Sequence, residues 1–153
     1  MKEGMEGRID IEALLRKGKR IRIMPQGYSM YPLLCPGRDE VILRAADPAA
    51  LKRGDVVLYR REGSILVLHR IWRKRADGLY MVGDNQTAVE GPVSKEQIRG
   101  IMTGFVRKGR EVETGNPLYR IYAAIWLWLR PFRRGIAVTV AGLRRLLVKG
   151  REQ

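Results

Sequence analysis

Serine and histidine are the two side chains in this sequence whose types and surroundings suit nucleophilic catalysis. Ser29 lies in residues 27–32, Gly-Tyr-Ser-Met-Tyr-Pro, and His69, the only histidine, ends the apolar run in residues 66–71, Leu-Val-Leu-His-Arg-Ile. A serine hydroxyl is a poor nucleophile until a base takes its proton, and imidazole, with an ordinary pKa of about 6.5, suits that task near neutral pH. If the fold brings Ser29 and His69 together, the sequence indicates a hydrolase; otherwise it indicates a small basic β-protein.

The segment around Ser29 has the composition of an exposed turn. Gly27 permits unusual backbone dihedrals, and Pro32 stiffens the exit of the turn, so the Ser29 hydroxyl can be presented to a groove. The Ser29 N–H is also a candidate donor to a developing oxyanion. Serine is common in Gly/Pro loops for turn reasons alone, so Ser29 gains its meaning from its combination with His69.

Two carboxylates are candidates to orient the imidazole. Asp84 lies in the Gly-Asp-Asn turn of residues 83–85, and Glu90 precedes Gly-Pro-Val in residues 91–93. An acid beside the histidine holds the ring in the tautomer that can accept the serine proton. Sequence distance does not choose between Asp84 and Glu90.

The elements that must position these side chains are mainly β. Asp10 caps a predicted short helix that ends before Gly18. Residues 20–107 then contain short aliphatic or alternating runs bounded by Gly, Asp or Pro, which are typical of a barrel or sandwich-like β-domain. The predicted strands cover residues 20–24, 41–43, 56–59, 65–68, 79–82 and 98–106.

The C-terminal quarter of the sequence has a different character. Residues 108–116 are predicted to be a polar linker, and 118–129 and 136–148 to be two helices, broken at Pro131 and Gly135. The sequence thus divides into a helical lead-in (1–19), a β-domain (20–107), the linker, and a basic amphipathic tail (117–153).

Charge points to the partner of this tail. The net charge is +14, and residues 117–153 hold eight basic residues against one acid. Basic residues interleaved with Trp, Leu and Ile are more typical of an anionic membrane surface than of a nucleic-acid groove. We therefore expect peripheral membrane association through residues 117–150 and no nucleic-acid partner. No run reaches the roughly 20 apolar residues of a membrane span, and no signal peptide is expected.

Cysteine chemistry and cofactors are not expected to contribute. Cys35 is the single cysteine, so an intramolecular disulfide and a Cys-rich metal site are both excluded. We interpret it as a small buried apolar residue. The sequence predicts no metal and no cofactor.

Four blocks in order resemble the signal peptidase I family. They are residues 27–32, the Gly-Asp-Val-Val of 54–57, the His-Arg-Ile of 69–71, and the Gly-Asp-Asn of 83–85, with Val93 and Gly100 downstream. Most bacterial members, and the related LexA-type self-cleaving repressors, carry Lys-Arg in the third block. His69-Arg70 makes this chain similar to the ER-type branch, in which the serine works with a histidine.

The resemblance implies roles for individual residues and a fold. Ser29 would be the nucleophile and His69 the general base of an acyl-enzyme reaction on a leader or signal segment with small residues before the cut. Glu90 stands where the branch usually has aspartate, and Asp84 is the alternative acid. Met30 and Pro32 would border the groove for an extended peptide, within the family's coiled, mostly antiparallel β-domain.

This chain also departs from the family pattern. Members normally carry a transmembrane helix before the serine block, whereas residues 1–28 contain no such segment. Membrane contact would instead come from the C-terminal tail, which prefers an anionic cytoplasmic leaflet, although the sequence does not fix the side of the membrane. The competing hypothesis is a non-catalytic β-fold module whose basic tail binds membrane or nucleic acid. A LexA-type self-cleaving switch is less favoured, since those proteins use lysine as the base.

Overall fold

A computed structural model describes residues 10–62 and 65–132 as one sheet of antiparallel strand pairs with a helix near each end. The strands run in the order β1-β2-β7-β3-β4-β5-β6, and β8 pairs with β7. The mainly β prediction is confirmed. The elements are α1 (Ile11–Arg16), β1 (Ile21–Ile23), β2 (Asp39–Ala45), β3 (Val56–Arg60), β4 (Leu66–Arg75), β5 (Gly78–Val82), β6 (Glu90–Val93), β7 (Ile98–Arg107), β8 (Arg110–Glu113) and α2 (Pro117–Trp128).

Each face of the sheet builds its own core, because successive side chains of a strand point to opposite faces. In β3, Val56 and Leu58 enter a first core, while Val57 and Tyr59 enter a second. Met30, Leu34, Met102 and Phe105 belong to the first core with α1 and α2, and Leu51, Ile71, Met81 and Val93 belong to the second.

Both helices begin at the capping residues that the sequence provides. The Ala13 N–H donates to Asp10 Oδ1 at 2.9 Å, and the Leu118 N–H donates to Asn116 Oδ1 at the same distance. Pro117 occupies the first turn of α2, where its missing N–H costs no helical hydrogen bond. Tyr119, Ala123 and Leu127 are buried on the inner face of α2, so this helix is part of the domain.

Two regions differ from the sequence-based expectation, and a third prediction falls outside the described residues. In the segment 108–116, expected to be a linker, residues 108–113 instead form the β7–β8 turn and strand β8, with Phe105 paired to Val112, and 114–116 turn into α2. β6 was not expected, because Glu-Gly-Pro-Val has no β-pattern; its place at the end of the sheet explains why Pro92 is tolerated. The predicted second C-terminal helix, 136–148, lies outside the described residues. Cys35 is buried, as interpreted from the sequence.

Candidate active site

The Ser29 segment is fastened to the turn that follows β5. Ser29 lies half-buried in the connection between β1 and β2, and its carbonyl oxygen accepts a 2.8 Å hydrogen bond from the Asn85 N–H. A Cβ atom on Gly83 would stand 2.6 Å from the same carbonyl oxygen. Glycine at position 83 therefore allows the serine segment to lie directly on this turn.

The strand register brings His69 to the same turn. Arg70 pairs with Val82 and Ile71 with Met81 in the antiparallel β4–β5 ladder. Extending this register by one residue places Gly83 opposite His69, about 5 Å away between Cα atoms. Ser29, Gly83 and His69 therefore meet at one end of β5. Within the described part of the chain no hydrogen bond joins Ser29 Oγ to the His69 ring.

His69 and Arg70 point to opposite faces of β4 and enter different polar networks. His69 is 3% exposed and lies on the second-core face. Its Nδ1 is 3.1 Å from the Tyr59 hydroxyl oxygen and 3.9 Å from Glu90 Oε2. The Tyr59 hydroxyl donates to Glu90 Oε2 at 2.8 Å, and Arg61 donates to both Glu90 oxygens at 2.7 Å.

The two ring nitrogens of His69 have different environments. Nδ1 contacts Tyr59, whereas Nε2 makes no hydrogen bond to any residue in 10–62 or 65–132. The Ser29 N–H, predicted to be an oxyanion donor, likewise makes no hydrogen bond within those ranges. An acyl transfer would need the Ser29 N–H as the oxyanion donor and His69 Nε2 as the proton acceptor, and neither group is engaged by another described residue.

Burial is the main reason that the His69 ring is neutral. Burial lowers the pKa of His69 below 6.5 and Arg61 adds to this effect, while Glu90 and Asp84 oppose it. The hydrogen bonds from Arg61 lower the pKa of Glu90, so this carboxylate is ionised at neutral pH. Burial, followed by the hydrogen bond to Glu90, raises the pKa of Tyr59 above its ordinary value, which keeps the phenol protonated.

Asp84 belongs to the network on the other face. Arg70 Nε donates to Asp84 Oδ1 at 2.8 Å and Arg70 Nη2 to Oδ2 at 2.7 Å, and both residues are almost fully buried. Arg70 also donates to the Gly54 carbonyl and the Tyr119 hydroxyl, and the Trp126 indole N–H donates to the Asp84 carbonyl. These contacts tie α2 to the turn of residues 83–85, against which the Ser29 segment lies. Of the two predicted acids, Glu90 is the one whose distance to His69 Nδ1 is within 4 Å.

The expected groove residues are placed unequally. Met30 is 3% exposed and its side chain packs in the first core, so it does not form an open groove wall; Pro32 is half-buried. Sequence reasoning missed Tyr28 and Tyr31, which flank Ser29 and are 61% and 48% exposed. It also missed Tyr59 and Arg61, the residues that connect Glu90 to His69.

Metal chemistry has no candidate ligand set among the residues that the structure describes: no three His, Cys, Asp or Glu side chains are grouped there to hold an ion. No protein-family model matches this chain, and no curated protein matches it.

Proposed function

We propose that this protein is a serine endopeptidase, similar to the ER-type branch of signal peptidase I, that cleaves a leader or signal segment through an acyl-enzyme on Ser29. The observation that carries the proposal is the attachment of the Ser29 segment to Gly83, opposite a histidine whose Nε2 is unoccupied. General-base catalysis requires a neutral imidazole within reach of the serine, and the shared contact of both segments with Gly83 supports that arrangement.

The reaction follows from these groups. His69 Nε2 takes the proton of Ser29 Oγ as the oxygen attacks the carbonyl carbon of the scissile peptide bond. The Ser29 N–H donates to the resulting oxyanion. The imidazolium then returns its proton to the leaving amine as the C–N bond breaks, and a water activated by His69 hydrolyses the ester and regenerates Ser29.

Substrate binding must tighten the Ser29–His69 geometry. The two side chains share no hydrogen bond here, and catalytic hydrogen bonds are often loose before substrate binds. Tyr28 and Tyr31 offer exposed aromatic surface on both sides of Ser29. An extended peptide lying between them would bring its carbonyl to Oγ and exclude water. The preference for small residues before the cut comes from the family resemblance.

Membrane association is proposed for the outer face of α2. On this face Leu118, Ile121, Ile125 and Trp128 recur every three or four residues and are between 51% and 76% exposed. Phe132, in the short turn after the helix, is 57% exposed. Residues 117–132 contain Arg120 and Arg130 and no acid, and residues 133–153 continue the basic composition. An exposed apolar stripe on a helix that also carries the exposed cation Arg120 fits an anionic bilayer surface. No helix among the described residues has the length and hydropathy to cross a membrane.

The test of the peptidase is covalent labelling by a serine-directed acyl probe, followed by mass spectrometry of the labelled peptide. Wild-type protein should be labelled on Ser29, and Ser29→Ala should lose the label. His69→Ala should reduce its rate by about a hundredfold or more. Ser94→Ala is the matched control, because Ser94 caps the short turn of Lys95–Gln97, and should be labelled like wild type. Full peptidase activity in Ser29→Ala or His69→Ala would overturn the proposal.

The alternative is a non-catalytic β-fold module that uses its basic tail on an anionic membrane or on nucleic acid, and the exposed α2 stripe together with the +14 charge favours it. Such a module would bind anionic vesicles with undiminished affinity in Ser29→Ala, and its wild type would take no acyl label. If the protein instead binds DNA but not vesicles, and its affinity for DNA falls steeply with added salt, the partner is a nucleic acid.

A further inference from the structure

The Tyr59 hydroxyl lies between the only histidine of the chain and the carboxylate that would orient it. Its oxygen is 3.1 Å from His69 Nδ1 and 2.8 Å from Glu90 Oε2, whereas Glu90 Oε2 itself is 3.9 Å from Nδ1. A separation of 3.9 Å is too long for a hydrogen bond between nitrogen and oxygen. Glu90 therefore reaches the ring through the phenol.

The protons on this chain of groups can be counted. Glu90 is ionised and accepts two hydrogen bonds from Arg61, so it has no proton to donate. The single proton of the Tyr59 hydroxyl must then point to Glu90. The remaining contact of the Tyr59 oxygen, to Nδ1, can be a hydrogen bond only if Nδ1 carries the proton and donates it. A neutral imidazole protonated on Nδ1 has its lone pair on Nε2.

We propose that Tyr59 is a positioning residue that fixes the tautomer of His69, with Glu90 and Arg61 fixing the direction of the Tyr59 hydroxyl. Its catalytic consequence rests on the proposed function: Nε2 is held bare as the base for Ser29. The tautomer itself does not depend on any activity.

The surrounding charges are consistent with this role. Glu90 from β6 and Asp84 from the turn after β5 stabilise an imidazolium, while Arg61, directly after β3, opposes it. Tyr59 has no exposed surface, and its ring lies 6.0 Å from the His69 ring between centroids, so the phenol cannot swing away without disturbing the second core. The imidazolium formed during attack would keep its Nδ1–H bond to Tyr59.

Nitrogen NMR of the full-length protein reads the tautomer directly. Because His69 is the only histidine, ¹⁵N-histidine labelling gives one imidazole. Above its pKa, wild type should show a protonated Nδ1 and a bare Nε2. In Tyr59→Phe, which keeps the ring and removes the hydroxyl, the population protonated on Nε2 should become the major one. Tyr80→Phe, which removes a phenol bonded to Asp77, is the matched control and should match wild type.

The outcomes separate this proposal from the proposed function. A wild-type ring protonated on Nε2, or an unchanged tautomer in Tyr59→Phe, overturns the role of Tyr59 whatever the activity. Cleavage by Ser29→Ala would overturn the peptidase and leave the tautomer result standing. If both hold, Tyr59→Phe should lower kcat by about tenfold to a hundredfold with little change in KM, as expected for a weakened general base.

Discussion

The carbonyl oxygen of Ser29 lies so close to Gly83 that a Cβ atom at position 83 would be only 2.6 Å from it. Real side chains do not tolerate that distance from a backbone atom, so either the serine segment or the turn must move. The Asn85 N–H, which donates to the same oxygen, would be displaced with it. The position of the candidate nucleophile Ser29 therefore depends on glycine at position 83.

Gly83→Ala should consequently separate Ser29 from His69. We expect destabilisation of about 1–3 kcal/mol from overpacking and a loss of acyl labelling larger than that destabilisation explains. Denaturant unfolding and labelling rates measure the two effects. Gly115→Ala is the matched control, since a Cβ there meets nothing within 4 Å. Wild-type labelling in Gly83→Ala would show that the contact does not position Ser29.

The Arg70–Asp84 ion pair makes a second prediction, about stability. Asp84→Asn keeps the shape of the side chain but leaves a buried guanidinium without its counter-charge, which typically costs about 3–5 kcal/mol. Glu40→Gln is the control, because the Arg22–Glu40 pair is separated by 3.8 Å and both side chains are about half exposed. It should change the free energy of unfolding by less than about 1 kcal/mol. Equal effects of the two variants in urea unfolding would contradict the structural role of the buried pair.

The pH dependence follows from the lowered pKa of His69. The folded ring resists protonation, chiefly because of its burial, while the unfolded ring titrates near 6.5. The unfolded state therefore binds more protons just below pH 6.5, so the free energy of unfolding falls as the pH drops from 6.5 through the native pKa. The acid limb of kcat/KM should lie below 6.5 for the same reason.

Titration of the ¹⁵N-labelled ring measures the native pKa of His69. Urea unfolding between about pH 7 and about pH 5 measures the change in the free energy of unfolding. His69→Gln should remove the slope contributed in this window. A hydrogen bond from Arg60 lowers the pKa of Glu12 from 4.5, and hydrogen bonds from Arg61 lower that of Glu90. Both carboxylates therefore titrate at more acidic pH and do not contribute to the slope in this window. A native His69 that titrates above 6.5 would contradict both the stability and the activity prediction.

Much of the scaffold could be predicted from the sequence because its signals are local. Aliphatic runs mark the inner strands, and Asp10 is the kind of cap that a helix requires. The predicted strands 56–59 and 65–68 are close enough in sequence to form a hairpin. The observed register, in which Val57 pairs with His69 and Tyr59 with Val67, is what places Tyr59 on the same face as His69.

The choice between Asp84 and Glu90 was not available from the sequence. Moving one residue along β4 changes the face, so His69 and Arg70 select different carboxylates, and a sequence does not give the register to that accuracy. Glu90 reaches its position through β6, an edge strand whose Gly-Pro sequence carries no β-signal. The polar composition of residues 108–116 favours a linker over a strand. Strand β8 nevertheless forms there, because the outer strand of a hairpin can be polar.

The exposed stripe of α2 makes the last prediction, because its inner face already supplies Tyr119, Ala123 and Leu127 to the fold. Ile125→Asp places a charge in the stripe without touching the core. Binding of the full-length protein to vesicles of anionic and zwitterionic phospholipid should weaken by about tenfold or more, since an isoleucine contributes about 1.5–3 kcal/mol when its apolar surface is buried. The thermal midpoint should be unchanged.

Ala76→Asp is the charge-matched control for this variant, because it adds the same charge at an exposed turn between β4 and β5. If both variants weaken binding equally, net charge alone attracts the protein and the stripe does not insert. If Ile125→Asp binds like wild type, the membrane does not contact α2. Loss of self-association in Ile125→Asp, with vesicle binding retained, would identify a second copy of the chain as the occupant. Insertion would also hold the turn of residues 83–85, and the Ser29 segment bonded to it, near the bilayer, because Trp126 of the same helix donates to the Asp84 carbonyl.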